Sequence, residues 1–328
     1  RQGGARALLA RRGATLLAWT VTHQGQPVAL TDGYADPAEL AGQDGVRNGI
    51  MAPFPNRLAD ARYAFAGRDH DLLPQAPADQ RLIYHGFLRE LDMEVAELCE
   101  GESGAAVVFT AHIRPGDFPG YPYDLDLNVA VSLNARGIAL TLTASNHGVE
   151  PAPYATGWHP YFRLGEAELD SLELTVPATQ VIATDVDLIP LPGDAAYVPL
   201  AARPTLDFRR PRPLGCQVLD HCYADLQAGP DRVIRSRLHD PVTGHGLTVW
   251  QRGGLVHLFT GDTLARDPRR SVAIEPVEVM TNAFNRPELA EAIRLAPGAT
   301  RSFTCGAEFH VSAQSPTPPS NPNAVPAA

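Results

Sequence analysis

The chain has 328 residues, of which 44% are hydrophobic, enough apolar material to bury a large core. Its formal net charge of -10 leaves no concentrated basic surface for the phosphates of a nucleic acid. All 27 residues in the Lys+Arg count are arginine, and the absence of lysine removes Schiff-base and pyridoxal-phosphate chemistry together with the Walker-type phosphate loop.

Residues 13–22 are the first strand candidate. A short helix follows at Pro37 to Ala41, with Asp36 as its N-cap and Pro37 at a first-turn position. Residues 61–66 read as a strand, and the strands Leu91 to Leu98 and Ala105 to Ile113 flank the turn-prone Gly101-Glu-Ser-Gly104. From Tyr123 to Val131 apolar side chains take every odd position, the period of a half-buried strand. The turn Asn134-Ala-Arg-Gly137 then leads into Ile138 to Ala144, whose large apolar residues also alternate, and the two segments predict an antiparallel hairpin. Further strands are expected at 171–183, 246–251, 255–260, 271–275 and 300–311, and a second short helix at Arg286 to Ile293. Many short strands punctuated by 28 Gly and 30 Pro predict an all-β fold, a large antiparallel β-sandwich. Residues 1–310 contain no small-polar linker, so one domain is expected there. Residues 311–328 are rich in Pro and Ser, bury too little apolar surface to offset their ordering entropy, and predict a disordered tail.

The cysteines at 99, 216, 222 and 305 have neither the paired short spacings of a zinc site nor the density of a disulfide scaffold, so reduced thiols are expected. No apolar run is long enough to span a bilayer, and the segment from Arg1 to Arg12 lacks the apolar core of a secretory signal. These features together predict a cytoplasmic protein with neither a membrane nor a nucleic-acid partner.

Three loop-like segments place ionisable groups beside Pro, Gly or Asn, where a rigid sheet can present them to a ligand. They are Pro53-Phe-Pro-Asn-Arg-Leu58 with Tyr84-His-Gly86, Gly157-Trp-His-Pro-Tyr-Phe162, and Val272-Ala-Ile-Glu-Pro-Val277 with Thr281-Asn-Ala-Phe284. Taken singly, His159 reads as a core histidine in an aromatic stretch, and Glu275 as a carboxylate at the end of a strand. Asp220, His221 and Cys222 suggest a metal site, but adjacent side chains on a strand point to opposite faces, and no metal is expected.

In their order along the chain these segments resemble the aldose 1-epimerase (galactose mutarotase) family. The resemblance rests on Asn56-Arg57, His85-Gly86, Asn146-His-Gly148, His159-Pro-Tyr-Phe162, Glu275-Pro276, Asn282-Ala-Phe284 and Leu295-Ala-Pro-Gly298. The spellings Pro53-Phe-Pro-Asn-Arg57, Leu219-Asp-His-Cys-Tyr223 and Thr260-Gly-Asp262 are most similar to a bacterial branch. Val277 and Glu278 stand where the family often carries a polar residue such as glutamine, which leaves the sugar open.

The resemblance implies a galactose mutarotase-like supersandwich that opens and recloses the ring of a free aldose. Glu275 takes the role of base and His159 that of acid, with Arg57, His85, Asp220 and Asn56 binding the sugar. An ionised Glu275 is expected to hold His159 in its protonated form. Neither metal nor organic cofactor is implied, and the protein is expected to be a monomer or a homodimer. Two other functions share the fold. One is a hexose-6-phosphate 1-epimerase, for which Arg57, Arg62, Arg81 and Arg89 are candidate phosphate ligands; the other is a non-catalytic sugar-binding module. A glycosidase or lyase is a weaker reading, because a glycosidase needs a second carboxylate facing Glu275 and only Glu278 or Asp220 is available.

Overall fold

Alternation of apolar and polar side chains builds the larger of two sheets. In the strand Leu125–Leu133 the odd-numbered residues are buried and face inward. The next strand, Gly137–Asn146, pairs with it in antiparallel register from Leu133 opposite Ile138 to Leu125 opposite Asn146, which is the expected hairpin. Asn134 Oδ1 closes its turn by accepting hydrogen bonds from the N–H groups of Arg136 and Gly137. On the outer face a ladder of hydroxyls joins neighbouring strands, with Thr143 Oγ1 2.8 Å from Ser302 Oγ and Ser145 Oγ 2.8 Å from Thr300 Oγ1.

The structure is a computed structural model that describes residues 4–101 and 104–312. Among these residues the two large sheets have nine and eight strands. In the first, the order is Arg212–Pro213, Glu173–Thr175, Ile234–His239, His245–Gln251, Thr300–Val311, Gly137–Asn146, Leu125–Leu133, Gly104–Ile113, Glu94–Gly101. The second runs Tyr197–Pro199, Ala178–Ile182, Asp220–Leu226, Leu255–Phe259, Val272–Val277, Gly157–Trp158, Ile50–Met51, with Tyr161–Phe162 also paired to Val272–Val277. Leu127, Val129, Leu142 and Phe303 of the first sheet share one apolar cluster with Val256, Leu258, Val272 and Ile274 of the second, so the two sheets enclose the core of a β-sandwich. The opposite face of the eight-stranded sheet carries only the small clusters around Cys222 and Tyr161. That face is free to hold a polar site.

The first helix runs Pro37–Gly42, and the carboxylate of Asp36 accepts from the N–H groups of Ala38 and Glu39 as an N-cap. The expected helix at Arg286 to Ile293 is instead a 3-10 turn, Pro287–Leu289, followed by the single α-turn Ala290–Ile293. The expected strand 171–183 is two strands, because Pro177 interrupts the ladder. Glu173–Thr175 belongs to the nine-stranded sheet and Ala178–Ile182 to the eight-stranded one. Residues 102 and 103 of the expected turn, and the expected tail beyond Ser312, lie outside the described residues. No helix among the described residues is long and apolar enough to cross a membrane.

Gly157 marks how tightly the site-bearing sheet is packed. A Cβ there would stand 2.7 Å from Val277 Cγ1 and 2.9 Å from both Met51 Cε and Pro276 O. Gly157→Ala should therefore cost about 1–3 kcal/mol through overpacking, read as a lower denaturant midpoint with an unchanged slope.

Candidate active site

The register of the eight-stranded sheet assembles the site. Cys222 lies opposite His257 and His257 opposite Glu275 in successive antiparallel pairs. Gly157 is opposite Val277 and Tyr161 opposite Ala273, so the same register carries His159 opposite Glu275. One row of side chains across the sheet thus reads Cys222, His257, Glu275, His159. In the adjoining row Asp220 lies opposite Phe259, and Phe259 opposite Ala273. Residues two apart on a strand share a face, so both rows point to the side away from the sandwich core.

Around His159 and Glu275 the ladder is thinned by two prolines. Ile274 donates to Pro160 O at 3.4 Å, but Pro160 returns no bond, and Pro276 has no N–H to offer Trp158. His159 and Glu275 occupy a position between hydrogen-bonded rungs, where opposed side chains stand closest. His159 Nε2 is 3.4 Å from Glu275 Oε1. Glu275 lies within the strand Val272–Val277 rather than at its end, and it is buried. Neither of its oxygens, nor His159 Nδ1, has a hydrogen-bond partner among the described residues. A buried carboxyl without a hydrogen-bond partner is costly.

These groups line a cavity of about 220 Å³ that also includes Asp44, Asn56, Arg57, Tyr84, His85, Tyr161, Asp220, His257 and Phe259. All six residues singled out in the sequence are therefore brought together: His159, Glu275, Arg57, His85, Asp220 and Asn56. Asn56 Oδ1 accepts from Arg57 N at 2.8 Å and from Arg57 Nη1 at 3.0 Å, which aims the guanidinium. Arg57 Nη2 reaches Asp220 Oδ2 at 3.6 Å. His85 sits at φ +65° beside Gly86, where a Cβ would collide with the carbonyl of Ala52. His85 Nδ1 accepts from Asn56 N at 3.3 Å, an assignment that leaves the ring proton on Nε2 as a donor. Tyr161 stacks on His159 with ring centroids 5.0 Å apart, and its hydroxyl donates to Gly45 O at 2.8 Å. Behind Tyr161 the guanidinium of Arg47 is fully buried, bonded to Asp32 and to Arg266 O. Trp158 and Phe284 belong to the main apolar core instead.

His257 was not singled out in the sequence. Its Nε2 is 2.7 Å from Asp220 Oδ1. The only signal for it was alternation with Leu255 and Phe259 along a predicted strand, and alternation does not say which face meets the ligand. Among the described residues no cluster of three or more His, Cys, Asp or Glu is arranged to hold a metal ion.

A model of the family Aldose 1-epimerase matches residues 1–308. The chain belongs to the aldose 1-epimerase family. It is 26% identical over 237 residues to the Escherichia coli K12 protein YihR, covering 72% of this chain and 71% of that one. With the aldose 1-epimerase of the same organism it shares 22% identity over 305 residues, 84% of this chain and 85% of that one. The crystal structure of the GalM/aldose epimerase homologue from C. elegans superposes with a TM-score of 0.82 at 19% identity, covering 94% and 96% of the two chains. That likeness confirms the galactose mutarotase-like fold.

Burial sets the charges of this aldose 1-epimerase family site. Desolvation, helped by repulsion from His257, pushes His159 down to about 3, and His85 also falls well below its ordinary value. Both imidazoles are neutral in the unliganded cavity. The expectation that Glu275 keeps His159 protonated is corrected for the empty cavity, because desolvation dominates at His159 and Glu275, itself raised by burial, keeps the proton. Burial likewise lifts Glu275 to about 8, partly opposed by the charges of His257 and Arg57. A carboxyl raised in the folded state binds a proton that the unfolded chain has released, so its contribution to stability is lost as pH climbs from about 4.5 through 8. Glu275→Gln removes that loss. Its melting temperature should match or exceed that of the parent by about 1–4 °C, with the gap widening between pH 6 and 9 in thermal denaturation.

Proposed function

We propose that this chain interconverts the α and β anomers of a free aldose, with Glu275 as base and His159 as acid. One observation carries the reading: a buried carboxyl with no partner stands 3.4 Å from a buried imidazole on the floor of an open polar cavity. In the reaction Glu275 removes the proton of the anomeric hydroxyl, and the electron pair left on that oxygen forms the aldehyde as the bond to the ring oxygen breaks. The ring oxygen takes a proton from His159. Rotation about the adjacent carbon–carbon bond and reversal of both transfers give the other anomer. The pair carries one exchangeable proton in total, which rests on Glu275 in the empty site and passes to His159 as the sugar's hydroxyl engages the carboxylate. Acid and base suffice for this exchange, so the reading needs no cofactor. His85 Nε2–H donates to the sugar, and Arg57, Asn56 and Asp220 hold ring hydroxyls. Four unpaired thiols fit a reducing, cytoplasmic setting for this activity.

The alternatives are less well supported. Arg57 is held by Asn56 and Asp220, Arg62 by Asp71, Arg81 by Asp71 and two carbonyls, and Arg89 by Gln43 and Glu90. A 6-phosphate would have to displace these acceptors. Glu278 accepts from Thr156 N at 2.9 Å and is not among the residues lining the cavity, so a glycosidase lacks that second carboxylate. A sugar-binding module would not require an unpartnered carboxyl beside an imidazole.

Exchange NMR or polarimetry on fresh α-D-glucose and α-D-galactose should show anomer exchange well above the buffer rate. Glu275→Gln and His159→Asn, each still folded, should lose about 10²- to 10⁴-fold. Full activity in either variant overturns the assignment, and buffer-rate exchange with measurable sugar binding favours the module. Glucose 6-phosphate should be the poorer substrate. For the parent, kcat/KM should fall as pH climbs through about 8, because the free protein then loses the one proton that Glu275 must hand to His159.

A further inference from the structure

The cavity holds a third imidazole that the acid/base scheme does not use. His257 is 7% exposed, lies directly across from Glu275 in the sheet, and is anchored by its Nε2 to Asp220 Oδ1 at 2.7 Å. Directly opposed residues of an antiparallel pair bring their Cβ atoms within roughly 4.5–5.5 Å. We propose, building on the epimerase reading, that His257 is a positioning residue: fixed by Asp220, its cationic ring stands beside Glu275 and weakens that carboxyl's hold on its proton.

Among the neighbouring groups Arg57 adds a second positive influence on Glu275, smaller than that of His257. Asp220 and Cys222 approach from one flanking strand, His159 and Tyr161 from the other side, and Arg57 and His85 from the loops above. His159 and His85 are neutral through burial, and Tyr161 retains its proton for the same reason. Arg57 spends its charge on Asn56 and Asp220. The strand order interposes His257 between Asp220 and Glu275, so the nearest full charge across from the base is positive. Its protonation agrees with this placement. Burial pulls His257 down, yet Glu275 and Asp220 together lift it well above the ordinary imidazole value. Burial raises Asp220 most, but its bond to His257 and the charges of His257, Arg57 and His221 together hold it at about 2.

His257→Gln separates charge from structure, because the amide still donates to Asp220. With the cation gone, Glu275 should ionise at higher pH. The fall in kcat/KM at high pH should move up by about one pH unit or more while KM changes less. A profile that superimposes on that of the parent overturns the proposal. Histidine ¹⁵N NMR of the unmodified, ligand-free protein reads the charge directly and does not depend on the variant folding. His257 should be an imidazolium at pH 7, and neutral in Asp220→Asn; a neutral His257 in the unmodified protein overturns the proposal. Should the parent exchange no anomers, the epimerase reading fails, and the NMR titration still decides whether His257 carries the charge.

Discussion

A β-strand sends alternate side chains to opposite faces, and the arrangement at this site depends on that constraint. A slip of one residue in the strand Val272–Val277 would carry Glu275 into the sandwich core and bring Ile274 or Pro276 to the cavity. The register is therefore defended on the apolar side, where Val272 and Ile274 are fully buried among Leu127, Val129 and Leu142. The same packing that stabilises the sandwich aligns His257, Glu275 and His159, whose separations in sequence carry no hint of contact. The two prolines at 160 and 276 weaken only the rungs flanking this pair, so the opening in the ladder is local.

Burial then sorts the charges. Five ionisable groups are taken out of water within one small cavity, and a buried group without a counter-charge moves toward its neutral form. His159, His85 and Glu275 do so. Asp220 and His257 escape because each supplies the other's counter-charge at hydrogen-bond distance. The result is one fixed ion pair beside a carboxyl near its ionisation point, a condition suited to proton transfer at neutral pH. Asp220 thus has two attachments, Arg57 on one oxygen and His257 on the other, and contributes to the electrostatics whatever it does for a sugar hydroxyl.

Much of the fold was legible because period-two patterning is a local signal. The hairpin from Leu125 to Asn146 follows directly from alternation and the Asn134 turn. Where alternation ran through Pro177, the sequence suggested one strand, but the missing donor let the chain cross from one sheet to the other. The six site residues were found by the order of their motifs rather than by any local pattern. His257 belongs to none of those motifs, and Glu275 looked like a strand end because Pro276 reads as a terminator. Both errors have one cause: the identity of a strand's partner, and the face it turns to a ligand, are set by contacts between distant segments.

The character of the cavity follows from the same partition. Its arginine is already engaged by Asn56 and Asp220, its outer imidazole is a neutral donor, and an aromatic ring lies alongside. Such a surface offers directional hydrogen bonds, and its arginine is already paired with a carboxylate. On the epimerase reading a polyhydroxylated ring suits it, since hydroxyls both donate and accept. An added phosphate would lose its hydration and find the guanidinium of Arg57 bound to a carboxylate that must first be released. The epimerase reading therefore lets discrimination against such a group begin with how Asp220 is bound, before any contact at the far end of the substrate.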